Sequence, residues 1–356
     1  MSKGKVIVGL SGGVDSTVAA YLLKKEGYDV IGVTLNLWQS EESQATQEDA
    51  RRVAEKLEIP FYLFDFKEPF QKYVIDDFMD SYLYGMTPNP CVMCNYYIKG
   101  AALLQKAKEL GADYIATGHY ARVEQHPVTG RYAIRNSATA EKDQTYALYR
   151  MTQEQLKGFL LPIGEYTKDE IREIAKEIDG FIAKKGDSQD ICFIPDGDYA
   201  SFIKRHRGIE GEEGNFVDMN GDILGKHKGM LHYTVGQRKG LGIAFGKPVF
   251  VFGLDAKRNE VILSDNEALF QKTLYANRLT GMAYEEFADD MRLQAKIRYS
   301  HTMAWCTVRM VGEDTLECTF DEAQRAITPG QSVVFYDNDL VAGGGIVLPF
   351  DKNERN

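Results

Sequence analysis

The chain has 356 residues, more than one hydrophobic core normally organises, so two or three domains are expected. Apolar residues make up 44% and charged residues 26%, which excludes wholesale disorder, collagen-like repeats and a disulfide-dense mini-protein. The net charge of −10 excludes a general cationic coat for nucleic acid but not a local basic face. No apolar stretch approaches the roughly 20 residues that span a bilayer, and the Val6–Leu10 run is too short for a signal peptide. A cytoplasmic protein is expected, with its five cysteines serving as thiols, ligands or redox groups.

Val6–Leu10 reads as a buried strand that runs into the small-residue turn Ser11-Gly12-Gly13-Val14-Asp15-Ser16. A helix is predicted over Thr17–Glu26, a strand over Val30–Leu35, a helix over Thr46–Leu57 and a strand over Phe61–Phe66. Helices follow over Phe70–Tyr84 and Tyr97–Leu110, then a strand over Tyr114–Thr117 and a helix over Lys168–Ile178. Alternating strand and helix predicts a doubly wound parallel sheet. After about residue 200 the helical period fades and glycines become frequent. Asn220-Gly221 marks a hairpin, and Val249–Leu254 with Glu260–Leu263 reads as a strand pair. From 271 onward only short strands are predicted, which suggests a small β-barrel or sandwich. The expected organisation is a catalytic domain over 1–200, a small mixed module over 201–270 and a β domain over 271–356.

A strand, a Gly-rich turn and a helix together make an anion site, because backbone N–H groups and the helix dipole face one point. Here that turn is Gly9-Leu10-Ser11-Gly12-Gly13-Val14-Asp15-Ser16. The chain has neither a GxxxxGK[ST] phosphate loop nor a GxGxxG dinucleotide fingerprint. Cys91-Val92-Met93-Cys94 follows Thr87-Pro88-Asn89-Pro90, and the two prolines predict a fixed, non-helical loop. Beside the N-terminus of the next helix, a thiolate there is expected to be stabilised. Cys192 lies in a polar turn, whereas Cys306 and Cys318 alternate with apolar residues and read as core. A lone CxxC fits a redox pair, half a metal site or chance, and an iron–sulfur cluster on Cys91, Cys94 and Cys192 stays open.

Ser11–Ser16 resembles the pyrophosphate-binding loop of the ATP pyrophosphatase superfamily. Further motifs resemble the tRNA-specific 2-thiouridylase family over nearly the whole chain. They are Thr87–Pro90 with Cys94-Asn95, Thr117–Arg122, Lys142–Tyr146, Cys192–Ile194, Gly236–Gly242 and Pro329–Gln331. The resemblance implies the doubly wound α/β domain, ATP and Mg²⁺ as cofactors, and thiolation of the wobble uridine of tRNA. By that resemblance Gly9, Leu10, Ser11, Gly12, Gly13, Val14, Asp15, Ser16, Leu35 and Gly118 hold ATP. Cys192 is the persulfide carrier and Cys94 the second nucleophile, with a transient Cys94–Cys192 disulfide. Asn89, Pro90 and Cys91 lie against the target base. His119, Lys142, Asp143, Gln144, Arg298, Tyr299 and Gln331 contact tRNA. The implied partners are tRNA and a persulfide-donating sulfur carrier or cysteine desulfurase, with no membrane.

Two departures stand out. Position 91 is often Asp in the family and is Cys91 here, and Leu35-Asn36-Leu37-Trp38 replaces the commoner Met-Lys-Asn-Trp. Positive charge concentrates locally. Ile223–Pro248 carries Lys226, Lys228, Arg238, Lys239 and Lys247 with no acid, and residues 296–309 and 201–209 carry three basic residues each with none. Such stretches predict phosphate contacts whose strength falls with salt. Two other classes compete: another adenylating synthetase of the superfamily, which needs no cysteine pair, and a non-catalytic or iron–sulfur redox module. A hybrid in which a cluster carries the sulfur also stands.

Overall fold

The computed structural model describes residues 2–186, 191–243 and 246–349, the side chains of residues 41 and 42 aside. Four parallel strands come first: β1 (Lys5–Gly9), β2 (Asp29–Asn36), β3 (Phe61–Asp65) and β4 (Tyr114–Ala116). A hairpin of β5 (Ala121–Gln125) and β6 (Tyr132–Asn136) then leaves this sheet, and β7 (Phe159–Leu160) returns to it, giving the order β3-β2-β1-β4-β7. The sheet is doubly wound because alternate side chains of β1 face opposite layers. Val6 and Val8 pack with Val18, Leu22, Ala50 and Val53, while Ile7 packs with Val33, Leu103, Ile115 and Leu156. On the first face lie α1 (Val14–Lys25) and α2 (Glu41–Lys56). The strand–helix expectation therefore holds, with ends shifted by a few residues.

The predicted non-helical loop is confined to Thr87–Asn89, and the CxxC itself is helical. A continuous helix runs over residues 90–109, starting at Pro90. Proline suits the first helical position, where its missing N–H has no partner to lose. Asn89 caps it, its Oδ1 accepting from Cys91 N at 3.1 Å. Residues Cys94–Ala102 are wound as a π-helix, a wider turn that recurs at functional sites. Fading helical period after 200 also misled: Tyr199–Arg207 is a helix capped by Asp198, which accepts from Ser201 N, and closed by Gly208 at φ +64°.

Next come β8 (Gly214–Val217), β9 (Ile223–His227), β10 (Phe250–Asp255) and β11 (Glu260–Ser264), in the order β10-β11-β8-β9. The Asn220-Gly221 turn joins β8 to β9 as predicted, with Gly221 at φ +97°. The remaining strands are β12 (Phe270–Gly281), β13 (Met291–Lys296), β14 (Ala304–Gly312), β15 (Thr315–Arg325), β16 (Ser332–Asp337) and β17 (Leu340–Val347). They close into a six-stranded antiparallel barrel, because β12 pairs with both β15 and β17. Cys306 and Cys318 are buried in its core. The strands are not all short. β12 has 12 residues, and its polar Gln271, Lys272, Asn277 and Arg278 hide it from a hydrophobicity reading.

Several contacts tie the barrel to the first domain. β17 meets β6 through Leu340 and Arg135, so the β5–β6 hairpin extends the barrel sheet. The loop before the cysteine helix is stapled as well: Thr87 N donates to Pro329 O at 2.8 Å, and Gln331 Nε2 donates to Thr87 O at 2.7 Å. Gly330 fits there because a Cβ would stand 2.7 Å from Met86 Cβ. Among the described residues, no helix is long and apolar enough to cross a membrane.

Candidate functional site

The Gly9–Ser16 turn lies at the carboxyl end of β1, where open α/β sheets bind ligands. Leu10 N donates to Val33 O at 2.7 Å, which fixes the turn to β2. Ser16 Oγ accepts from Ser11 N at 3.1 Å and lies 3.1 Å from Ser11 Oγ. Gly12 sits at φ +64°, and a Cβ there would come within 2.7 Å of Asp49 Cβ and 2.9 Å of Thr46 O. Gly118, at the end of β4, backs the turn so closely that a Cβ would lie 2.5 Å from Asp15 C and 2.6 Å from Ser16 N. Leu35 lies at the end of β2, opposite Phe64.

The turn carries no lysine of its own, so its cations come from elsewhere. Lys168 Nζ donates to both Asp15 carboxylate oxygens at 2.8 and 3.0 Å, and Tyr120 OH donates to Oδ1 at 2.8 Å. Lys185 Nζ donates to Gly12 O at 2.9 Å and pairs with Asp49. Sequence reasoning missed both lysines. The available signal was a negative one, a phosphate turn lacking its own cation.

Gly118 connects this turn to the cysteines. The next residue, His119, is buried, and its Nε2 lies 3.4 Å from Lys99 Nζ. An ammonium can only donate, so Nε2 accepts. The ring proton is then on Nδ1, which donates to Thr117 Oγ1 at 2.7 Å. Burial, reinforced by the Lys99 charge, pushes the imidazolium pKa far down, so His119 is neutral. Lys99 is five residues after Cys94, a spacing the wider π-turns bring towards one face. Its charge favours the thiolates of both Cys94 and Cys192.

The expectation of a stabilised thiolate at the CxxC is overturned for Cys94 in the free protein. Cys94 is the fifth residue of its helix and only 8% exposed. Desolvation pushes its thiol up to about 12 against the pull of Lys99, with the nearby Cys192 and Cys91 adding to the rise. Desolvation, then Cys91, raises Cys192 as well. All five cysteines are free. Because the thiolate is the reactive form, capture of Cys94 and Cys192 by iodoacetamide is expected to rise about tenfold per pH unit between about pH 7 and 9, without a plateau. Mass-spectrometric peptide mapping reads this, and Lys99→Met is expected to slow capture at each pH. A plateau near neutral pH contradicts it.

Among the described residues, no three His, Cys, Asp or Glu side chains converge to hold a metal ion.

Several residues expected at tRNA have internal partners. Besides His119, Asp143 is buried, accepting from Ser137 N at 2.9 Å and Thr145 N at 3.2 Å. Gln144 exchanges backbone and side-chain bonds with Tyr120. Gln331 holds the Thr87 loop, and Arg298 Nη1 donates to Arg325 O at 3.2 Å. Tyr299, by contrast, is 46% exposed, with its ring edge-on to Tyr146. Cys91, Lys142 and Asp143 lie close enough to Tyr299 to influence its ionisation. Lys226, Lys228, Arg238, Lys239 and Lys247 are all exposed. In the 201–209 stretch, Arg207 is paired with Asp80 and Asp76, so that stretch offers less free charge than its sequence suggested.

A Gly-rich anion turn between the central strand and first helix of a doubly wound sheet, with flanking lysines and a cysteine pair, defines an ATP-pyrophosphatase-type α/β enzyme domain. The tRNA methyl transferase HUP domain model matches residues 4–196. The PRC-barrel domain model of the same family matches 200–265, and an aminomethyltransferase beta-barrel domain model matches 271–347. The tRNA-specific 2-thiouridylase MnmA of Clostridioides difficile (strain 630) is 55% identical over 352 residues, 96% of this chain and 98% of that protein. The protein of the same name from Lachnoclostridium phytofermentans is 54% identical over 355 residues, covering 97% and 99%. The chain belongs to the tRNA-specific 2-thiouridylase family.

Proposed function

We propose that this chain is a tRNA uridine 2-sulfurtransferase that activates O2 of the wobble uridine with ATP and replaces it by sulfur. The observation that carries the reading is the continuity of the site. The ATP turn abuts Gly118, His119 follows, Lys99 bridges from His119, and Cys94 and Cys192 both feel Lys99.

In this reading the Gly9–Ser16 amides and hydroxyls hold the triphosphate, with Leu35 and Gly118 bordering the nucleotide. Lys168 and Lys185 exchange Asp15 and Asp49 for phosphate oxygens. Magnesium enters on ATP as part of the substrate and offsets the charge on the triphosphate. The target base leaves its stack, as bases must to reach such a pocket. It rests against Asn89, Pro90 and Cys91, with Tyr299 as a stacking face and Lys142 and Arg298 at the backbone. Uridine O2 attacks the α-phosphate and pyrophosphate leaves, giving an O-adenylated base.

Cys192 carries a persulfide supplied by a sulfur carrier or cysteine desulfurase. Its terminal sulfur attacks C2, and the oxygen departs with AMP. Cys94 then attacks the Cys192 sulfur, which frees the 2-thio base and leaves a Cys94–Cys192 disulfide for an external thiol to reduce. Alternatively, Cys94 attacks the persulfide first and releases sulfide, which adds to C2. Either route requires the Cys94 thiolate, and burial raises that thiol to about 12 despite Lys99, so substrate binding must supply the ionisation.

The test mixes protein, ATP, magnesium, a persulfide donor and unmodified tRNA with a wobble uridine, then digests the tRNA for mass spectrometry. ATP-dependent 2-thiouridine is expected. Pyrophosphate release with a different acceptor and no 2-thiouridine would mark another adenylating synthetase instead.

A further inference from the structure

Beneath the Thr87–Asn89 loop, the first domain and the barrel enclose a cavity of about 190 Å³ that shares no residue with the ATP turn or the three cysteines. Two guanidiniums line it from opposite domains, Arg150 from the first and Arg278 from β12. Arg150 lies over the Tyr96 ring at 5.3 Å, and its Nη1 donates to the Met93 sulfur at 3.4 Å. A thioether is a weak acceptor. Arg150 Nε is buried with no partner. Arg278 Nη1 stands 3.9 Å from Asp77 Oδ1, beyond hydrogen-bond reach. Among the described residues, neither guanidinium donates to an oxygen. Arg150 Nε has no partner and the Arg278 side chain is 59% exposed, so both guanidiniums keep donors for a further acceptor at the cavity.

The backbone aims Arg278 deliberately. The β12–β17 register shifts between Asn277 and Thr280, and Arg278 sits inside that bulge at φ +50°. A bulky residue in the left-handed region is costly and clusters at functional sites. It is held there by Asp314, whose carboxylate accepts from Arg278 N at 3.0 Å and Leu279 N at 2.9 Å. Asp77 is a poor counter-ion, since burial pushes its carboxyl above the usual range even against both arginines.

We propose that this cavity is a phosphate subsite in which Arg150 and Arg278 grip one phosphodiester of the tRNA strand. Planar guanidinium pairs suit phosphate oxygens, and the acceptor the site lacks is a compact anion. The place along the strand follows from Asn89, which lines the cavity and caps the helix carrying Cys91 two residues later. The phosphate therefore belongs to a nucleotide flanking the target base. The inference rests on the tRNA reading above. Released pyrophosphate has the same chemistry, and the test separates the two sources.

Full-length wild type, Arg150→Gln, Arg278→Gln, the double variant and Asp77→Asn are titrated with unmodified tRNA across a salt series. Inhibition by pyrophosphate is measured alongside. Each arginine variant is expected to weaken tRNA binding roughly tenfold, and the double variant to flatten the log K against log salt slope by about 0.7–1. Asp77→Asn is expected to tighten binding about threefold by removing the competing carboxylate, a gain that a damaged fold cannot imitate. Pyrophosphate inhibition is expected not to change. An unchanged slope in a folded double variant overturns the proposal and leaves the arginines as a domain clamp. Weaker pyrophosphate inhibition with an unchanged slope also overturns it, in favour of the free anion. Wild type that binds tRNA but makes no 2-thiouridine strikes the substrate reading instead, and the salt slopes still report on the subsite.

Discussion

Cys192→Ala is expected to lower 2-thiouridine formation by about three orders of magnitude while tRNA-dependent pyrophosphate release from ATP continues. The two half-reactions use separate groups. Adenylation needs the Gly9–Ser16 turn, backed by Gly118, whereas sulfur delivery needs a thiol beyond Lys99. With the roles proposed above, removing Cys192 deletes the carrier and leaves the turn's hydrogen bonds intact, so adenylated tRNA is expected to accumulate. Cys94→Ala is expected to fail at a different stage, with a persulfide still loaded on Cys192 but little product. Cys91→Ala is the informative control. Cys91 is exposed and close enough to Cys192 to act on its ionisation, so it is the nearest alternative carrier. Product lost in Cys91→Ala and retained in Cys192→Ala would reassign the persulfide to Cys91.

Gly118→Ala is expected to weaken ATP binding by roughly a hundredfold, or about 2.7 kcal/mol, in a protein that still folds. The added methyl would meet Asp15 C at 2.5 Å and Ser16 N at 2.6 Å. Those atoms are backbone, so no side chain can swing aside, and the phosphate turn itself must move. Displacing it also breaks the Ser11–Ser16 hydrogen bonds that hold its shape. Gly180→Ala is the matched control, because nothing lies within 4 Å of its added carbon. Calorimetric titration with ATP separates the two variants. Equal ATP affinity in both would show that Gly118 does not buttress the nucleotide site.

The strand–helix alternation was legible because a buried parallel sheet needs β-branched runs such as Val6–Leu10, and Gly12-Gly13 marks the turn between strand and helix. The helix expected over Tyr97–Leu110 is present, but its start at Pro90 is hard to read from sequence because two prolines in four residues suggest a break. Pro90 occupies the first helical position, where it favours a start. β12 was overlooked because its bulge and polar residues interrupt the two-residue alternation. Cys94 and Cys192 could be named by resemblance, but their raised ionisation could not, since desolvation comes from packing that no local pattern encodes. The same holds for Lys168 and Lys185, which reach the ATP turn from far along the chain. Asp143 and Gln331 also hold the Ser137–Thr145 turn and the Thr87 loop, bonds that no local pattern announces.

The account stands most directly on where the transferred sulfur resides. Wild-type protein is loaded with a radiolabelled persulfide, freed of donor, and mapped by peptide before and after addition of unmodified tRNA with ATP and magnesium. The account predicts label on the Cys192 peptide, and its ATP-dependent passage into 2-thiouridine within one turnover. Label that stays on the protein when ATP and tRNA are added, or that enters tRNA equally well without ATP, would contradict it.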